Sequence, residues 1–191
     1  MPFETLRIIR DEHTALAAML RSLLQLLRQG PGDEPQLFFD VLRAMLFYID
    51  EFPERQHHPK ESDLLFPRVA RVAPQVMDTI AQLERDHMQG EQRARELQHL
   101  LLAWELLGES RRAAFVQAAE RYVGFYLEHM RLEETAVLPL ADELLGDDDR
   151  RELDEAFTSH RDPLLTRDPA YDRLFTRIVM KAPAPIGVGP A

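Results

Sequence analysis

Apolar residues recur three and four positions apart through most of this chain, the spacing of one face of an α-helix. In the first stretch, residues 3–29, Leu6, Ile9, Leu16, Leu20, Leu23 and Leu27 form the stripe, which stops at the breaker Gly30-Pro31-Gly32. The second, residues 36–72, carries Leu42, Met45, Leu46 and Ile49. Pro53 and Pro59 lie inside it, and each is expected to remove a backbone hydrogen bond and kink the helix. The third, residues 74–107, starts with Pro74, which suits a first turn, and stops at Gly108. The fourth, residues 110–145, ends before Gly146. A shorter fifth, residues 148–159, is acidic at its start, as the helix dipole prefers. Beyond it, Asp162-Pro163 and Asp168-Pro169 interrupt the helical pattern. The pattern predicts an all-α fold: an up-down-up-down four-helix bundle over residues 1–146 with a short helical extension over 147–180. The last residues, 181–191, rich in Pro, Gly and Ala, are expected to form a disordered tail.

Composition narrows the chemistry. The 191 residues, 45% hydrophobic and 29% charged, suffice for one domain with a sizeable core. There is no Cys, which excludes thiolate metal sites, disulfides and thiol catalysis, so any metal is held by His, Asp and Glu. The net charge of −10 argues against a nucleic-acid partner, because phosphate contacts need clustered Lys and Arg. No apolar run approaches the ~20 residues of a membrane span, and the N-terminus lacks the apolar stretch of a signal peptide. The expectation is a cytoplasmic protein with no membrane partner.

An internal repeat carries the chemical signal. His57-His58-Pro59-Lys60-Glu61 leads to Pro67, and His129-Met130-Arg131-Leu132-Glu133 leads to Pro139. Both read His-x3-Glu with Pro six residues after the Glu, displaced by 72 (139 − 67). Upstream, Asp11-Glu12-His13 resembles Arg85-Asp86-His87, displaced by 74 (87 − 13). Two helix pairs result, each with a His on its first helix and His-x3-Glu on its second, which points to a duplication with pseudo-two-fold symmetry. Residues i and i+4 share a helix face, so His57 and Glu61 project together, as do His129 and Glu133, and as do His87 and Glu91. Facing inward, the four helices would assemble His13, His57, Glu61, His87, Glu91, His129 and Glu133 as donors. Imidazole with carboxylate suits iron, manganese or zinc. The bland alternative, a surface i, i+4 pair, fits any one of these pairs but not their repetition.

These residues resemble the hemerythrin HHE cation-binding domain over about residues 5 to 145. The resemblance implies a four-helix bundle holding two iron ions, with an oxo or hydroxo bridge and with zinc or manganese as substitutes. It implies that His13 and His57 bind one metal, that His87 and His129 bind the other, and that Glu61 and Glu133 bridge them. Oxygen-carrying members have a His at the position of Glu91 and His-x4-Asp where this chain has His129-x3-Glu133. A carboxylate in place of an imidazole adds negative charge and favours Fe(III), so a lower reduction potential and reaction with dioxygen or peroxide, rather than oxygen storage, are expected. His58 is the alternative to His57, which the repeat favours. Tyr122 and Tyr126 lie on the face of His129 and read as core residues with hydrogen-bonded hydroxyls. Glu134 and Glu84 read as outlying neighbours of the site, His99 as facing away, His160 as a surface residue and Trp104 as packing.

The functions this implies are binding, sensing or scavenging of a small diatomic or peroxide ligand, a redox enzyme that decomposes peroxide, or iron-responsive homeostasis. A homodimer and an unidentified protein partner are left open.

Overall fold

The computed structural model describes residues 3–159, 162–166 and 169–189. Among them there is helix and no strand. Helix α1 spans Glu4–Gln29 and ends at Gly30, whose positive φ of 74° lets the chain turn away. Helix α2 runs over residues 35–72, α3 over Met77–Leu107 and α4 over residues 112–144. Then come α5 (Asp147–Ser159), α6 (Pro163–Thr166) and α7 (Asp172–Lys181). Helices α1 to α4 pack on one another as a helical bundle, with α5 against α1 and α7 against α2.

Two apolar layers fill the bundle. One holds Leu20, Leu23, Met45, Leu101, Phe115 and their neighbours; the other holds Ile9, Phe66, Leu83, Leu138 and Phe157. Between them lies a polar layer at the level of His13, His57, His87 and His129, all buried. Trp104, as expected, packs in the first layer, edge-on to Phe38 and Phe39.

The prolines in α2 and α4 do more than remove single hydrogen bonds. Three stretches, Asp50–His57, Glu61–Leu65 and Glu133–Val137, take the wider π-helical turn. In each case the residue just before a proline reaches back five residues instead of four. His58, before Pro59, donates its N–H to Pro53 O; Phe66, before Pro67, to Glu61 O; Leu138, before Pro139, to Glu133 O. A proline ring collides with the carbonyl four residues earlier and offers no N–H, and a π turn accommodates both without breaking the helix.

The C-terminal segment departs from the expected disordered tail. Residues 182–189 turn back, with Val188 N–H donating to Val179 O and Gly189 N–H to Ala182 O. Ile186 N–H donates to Ser22 Oγ on α1 at 2.9 Å, and Ala182 is buried. The segment of Pro, Gly and Ala is thus held by its own backbone, by the backbone of α7 and by one side chain of α1. His160 lies outside the described residues.

Gly90 marks the tightest approach of two helices: a Cβ there would collide with the Tyr126 hydroxyl. Gly90→Ala is expected to destabilise the protein by about 1–3 kcal/mol through overpacking. Gly124, on α4 with open space around it, is the control, and Gly124→Ala should stabilise by about 0.5–1 kcal/mol. Chemical denaturation of the two variants measures both.

Candidate metal centre

The π turns fall on the residues that matter. His57 closes the first, Glu61 opens the second and Glu133 opens the third. With the widened turns, two adjacent imidazoles of α2 face the interior together: His57 and His58 are 3% and 4% exposed. Helix α1 contributes His13, α3 contributes His87, and α4 contributes His129 and Glu133.

These side chains converge as two groups joined by one carboxylate. His58, Glu61, His87 and His129 form one; His13, His57 and Glu61 form the other. Glu61 Oε1 lies 2.7 Å from His57 Nε2 and 3.9 Å from His13 Nε2, while its Oε2 lies 3.4 Å from His87 Nε2. His87 Nε2 and His129 Nε2 are 3.2 Å apart, and Glu133 Oε2 is 3.4 Å from His13 Nε2. Two donors held at ~2.1 Å from one ion at angles between square and tetrahedral stand ~3.0–3.4 Å apart, which the Glu61–His87, His87–His129 and His13–Glu133 separations match and the 2.7 and 3.9 Å ones do not.

The titrating groups of the cluster are shifted in both directions, with His13 and His57 raised and His58 lowered. Both oxygens of Glu61 and of Glu133 are buried and hydrogen-bonded to nothing among the described residues, as is His57 Nε2. Burial opposes charge on Glu61, but His57 and His87 outweigh it and hold its pKa well below the usual carboxylate range. Burial and the charge of Glu61 push Glu133 up. Burial also works against a proton on His13, but Glu133 and Glu134 prevail and raise its pKa to about 9. His58 goes the other way: burial, reinforced by His87, keeps it neutral, the form a metal needs. Two buried carboxylates whose neighbours are imidazoles rather than fixed hydrogen-bond donors are costly, and cations at the imidazole nitrogens remove that cost.

An outer ring of oxygens orients the imidazoles. His57 Nδ1 is 2.7 Å from Glu12 Oε2, His13 Nδ1 is 2.9 Å from Glu134 Oε1, and His87 Nδ1 is 2.9 Å from Ser62 Oγ. His58 Nδ1 is 3.2 Å from Glu54 Oε2, and His129 Nδ1 faces Asp86 at 3.6 Å. With Nδ1 turned outward, Nε2 points inward, the arrangement that fixes tautomer and aim in metal-binding histidines. Tyr122 and Tyr126 donate their hydroxyls to Glu54, so they act through the carboxylate that holds His58. Burial raises Glu54 to about 7, against those two hydrogen bonds.

This ring repeats with the sequence. Glu12 and Asp86, each just before a first-helix His, reach the second-helix His of their own pair. Ser62 and Glu134, each just after the Glu of a His-x3-Glu, reach the first-helix His of the other pair. The acidic residue before each first-helix His was visible in the repeat and Glu134 was expected near the site; Ser62 was not.

One expected donor is absent from the centre and another takes its place. Glu91 faces solvent, its side chain 49% exposed and paired with Arg95. The buried stripe of α3 runs through Leu83, His87, Gly90, Ala94 and Leu97, so the inward position after His87 is three residues on, and it is Gly90. His58, expected only as a substitute for His57, joins the group opposite; the two histidines are not alternatives. The His58-Pro59 step beside a second histidine was the available signal. The side chains that converge are therefore five imidazoles and two carboxylates, and the charge argument for a lowered reduction potential, which rested on Glu91, falls with it.

A family model for the hemerythrin HHE cation-binding domain matches residues 4–141. The chain belongs to that family. The match accounts for α1 to α4 and leaves α5 to α7 of this hemerythrin-like protein outside it. Neither curated proteins nor solved structures return a match. No described helix is long and apolar enough to cross a membrane.

Metal analysis after loading with iron distinguishes the two disputed positions. His58→Ala is expected to lower the bound metal or weaken it by roughly 10–100-fold, whereas Glu91→Ala retains the wild-type content.

Proposed function

We propose that this hemerythrin-like protein holds two iron ions and takes a small ligand, dioxygen, peroxide or nitric oxide, at one of them. His58, His87 and His129 would hold one ion, His13 and His57 the other, with Glu61 and Glu133 shared. Bound iron supplies a Lewis-acidic, redox-active position for an oxygen- or nitrogen-centred ligand.

The observation that carries this reading is a break in the pseudo-symmetry. Moving 72 residues along the chain takes His57 to His129 and Glu61 to Glu133, but takes His58 to Met130. One half thus has three imidazoles and the other two. The half with two borders a surface pocket of about 260 Å³ between α1 and α4, lined by His13, Met130, Thr14 and Glu134 among others. An ion with fewer protein donors keeps a position for an exogenous ligand, and Met130, where a sixth imidazole would complete the symmetry, leaves it free. Leu127 and Ala17 make part of the wall apolar and Arg21 and Arg131 make part of it cationic, so a small diatomic molecule or an anion such as azide fits the lining.

A second reading, redox turnover of peroxide, is favoured by the phenols of Tyr122 and Tyr126 on Glu54, one carboxylate away from His58. Steady peroxide consumption lost in Tyr126→Phe, with iron content unchanged, would select it.

The test of the primary reading uses the iron-loaded protein and azide or nitric oxide as probe. About two irons per chain are expected, with an optical change on ligand addition, and Glu61→Ala should lose both. Met130→His should keep its iron yet bind the probe at least roughly tenfold more weakly, because a protein donor then competes for the free position. One iron per chain, or unchanged probe binding in Met130→His, would overturn the proposal.

A further inference from the structure

The segment beyond the family match reaches into the polar layer at one point. Asp162, between α5 and α6, is fully buried, and its backbone N–H donates to Glu12 Oε1 at 3.0 Å. The other oxygen of Glu12 is the one that holds His57 Nδ1 at 2.7 Å. Asp162 is itself fixed on both sides. Its Oδ2 accepts the Tyr48 hydroxyl at 2.5 Å, and its Oδ1 accepts the N–H of Leu164 at 2.8 Å, in the first turn of α6. A ring-to-ring path runs beside this polar one. Phe175 of α7 packs edge-on to Tyr48, Tyr48 stacks on Phe52, and Phe52 lies 6.2 Å from the His57 ring. Both paths start in the C-terminal segment and end at the same imidazole.

The other half of the centre has no such link among the described residues. His58, His87 and His129 are oriented by Glu54, Ser62 and Asp86, all inside residues 4–141. The carboxylate of Glu12 would be free to rotate about its own side chain if only His57 held it. The Asp162 amide supplies a second fixed donor and so sets the plane in which Glu12 meets the imidazole.

We propose that the C-terminal segment, through Asp162, is a positioning element for one half of the metal centre, fixing Glu12 and thereby His57, while the three-histidine half does not depend on it. Resting on the two-ion reading above, this makes a selective prediction. By linkage, the coupling is reciprocal: metal at the His13/His57 half holds the segment down as the segment holds the ligand in place.

The experiment is chelator competition on the full-length, metal-loaded protein, with bound metal counted by elemental analysis and followed optically. In Asp162→Ala, one of the two metal equivalents should be released at a roughly 10–100-fold lower chelator concentration, the other as in the wild type. Tyr48→Phe, which keeps the backbone and the core volume, should move the same equivalent in the same direction by less. Asp86→Ala should instead weaken the other equivalent. Hydrogen exchange read over residues 162–189 of the wild type should speed up when metal is removed. Equal weakening of both equivalents in Asp162→Ala, or of neither, overturns the proposal, as does exchange over 162–189 that ignores the metal. If Asp162→Ala does not fold, Tyr48→Phe and the wild-type exchange measurement decide it. A wild-type protein that takes up no second equivalent defeats the two-ion reading itself, a result distinct from all of these.

Discussion

Burying Glu61 and Glu133 completely, with none of their four oxygens hydrogen-bonded among the described residues, is the constraint on which the rest of this bundle turns. A carboxylate in a low-dielectric interior needs either a proton or a cation, and Glu61, surrounded by imidazoles, stays charged. The imidazoles are in turn held with Nδ1 toward oxygens of the outer ring, so their inward nitrogens present lone pairs or shared protons to the same small volume. A cation is the simplest species that satisfies both carboxylates and every inward nitrogen, and the family to which the chain belongs is defined by cation binding.

The duplicated sequence builds this environment twice and then departs from symmetry in two ways. Within the bundle, His58 has no counterpart but Met130, which unbalances the donor count and leaves the poorer half beside the pocket. Outside the bundle, the C-terminal segment attaches to Glu12 and, among the described residues, has no counterpart at Asp86. Both departures concern the His13/His57 half. A symmetric scaffold supplies the electrostatic setting, and the asymmetric additions distinguish its two positions.

The helices carry this centre at a cost in regularity. Three π turns sit at the donor residues, each enforced by a proline at a fixed distance along the chain. The proline six residues after Glu61 and after Glu133 is thus a backbone instruction. It widens the turn that the glutamate opens, and the chain keeps helical hydrogen bonding on either side.

Much of this was legible in the sequence, because periodicity and repetition are local properties. The apolar stripes gave the helices, the breakers their ends, and the duplicated His-x3-Glu with its leading histidines gave six of the seven side chains that converge: His13, His57, Glu61, His87, His129 and Glu133. Spacing by four predicts a shared face on an ideal helix, but it cannot say which of two neighbouring positions points at the bundle axis. That depends on helix rotation, set by packing along the whole length of α3, and it turned Glu91 to solvent and Gly90 inward. Nor could spacing show that prolines would widen α2 until both His57 and His58 face the interior. The outer ring joins residues as far apart as Glu12 and Asp162, and only the folded chain brings such pairs together.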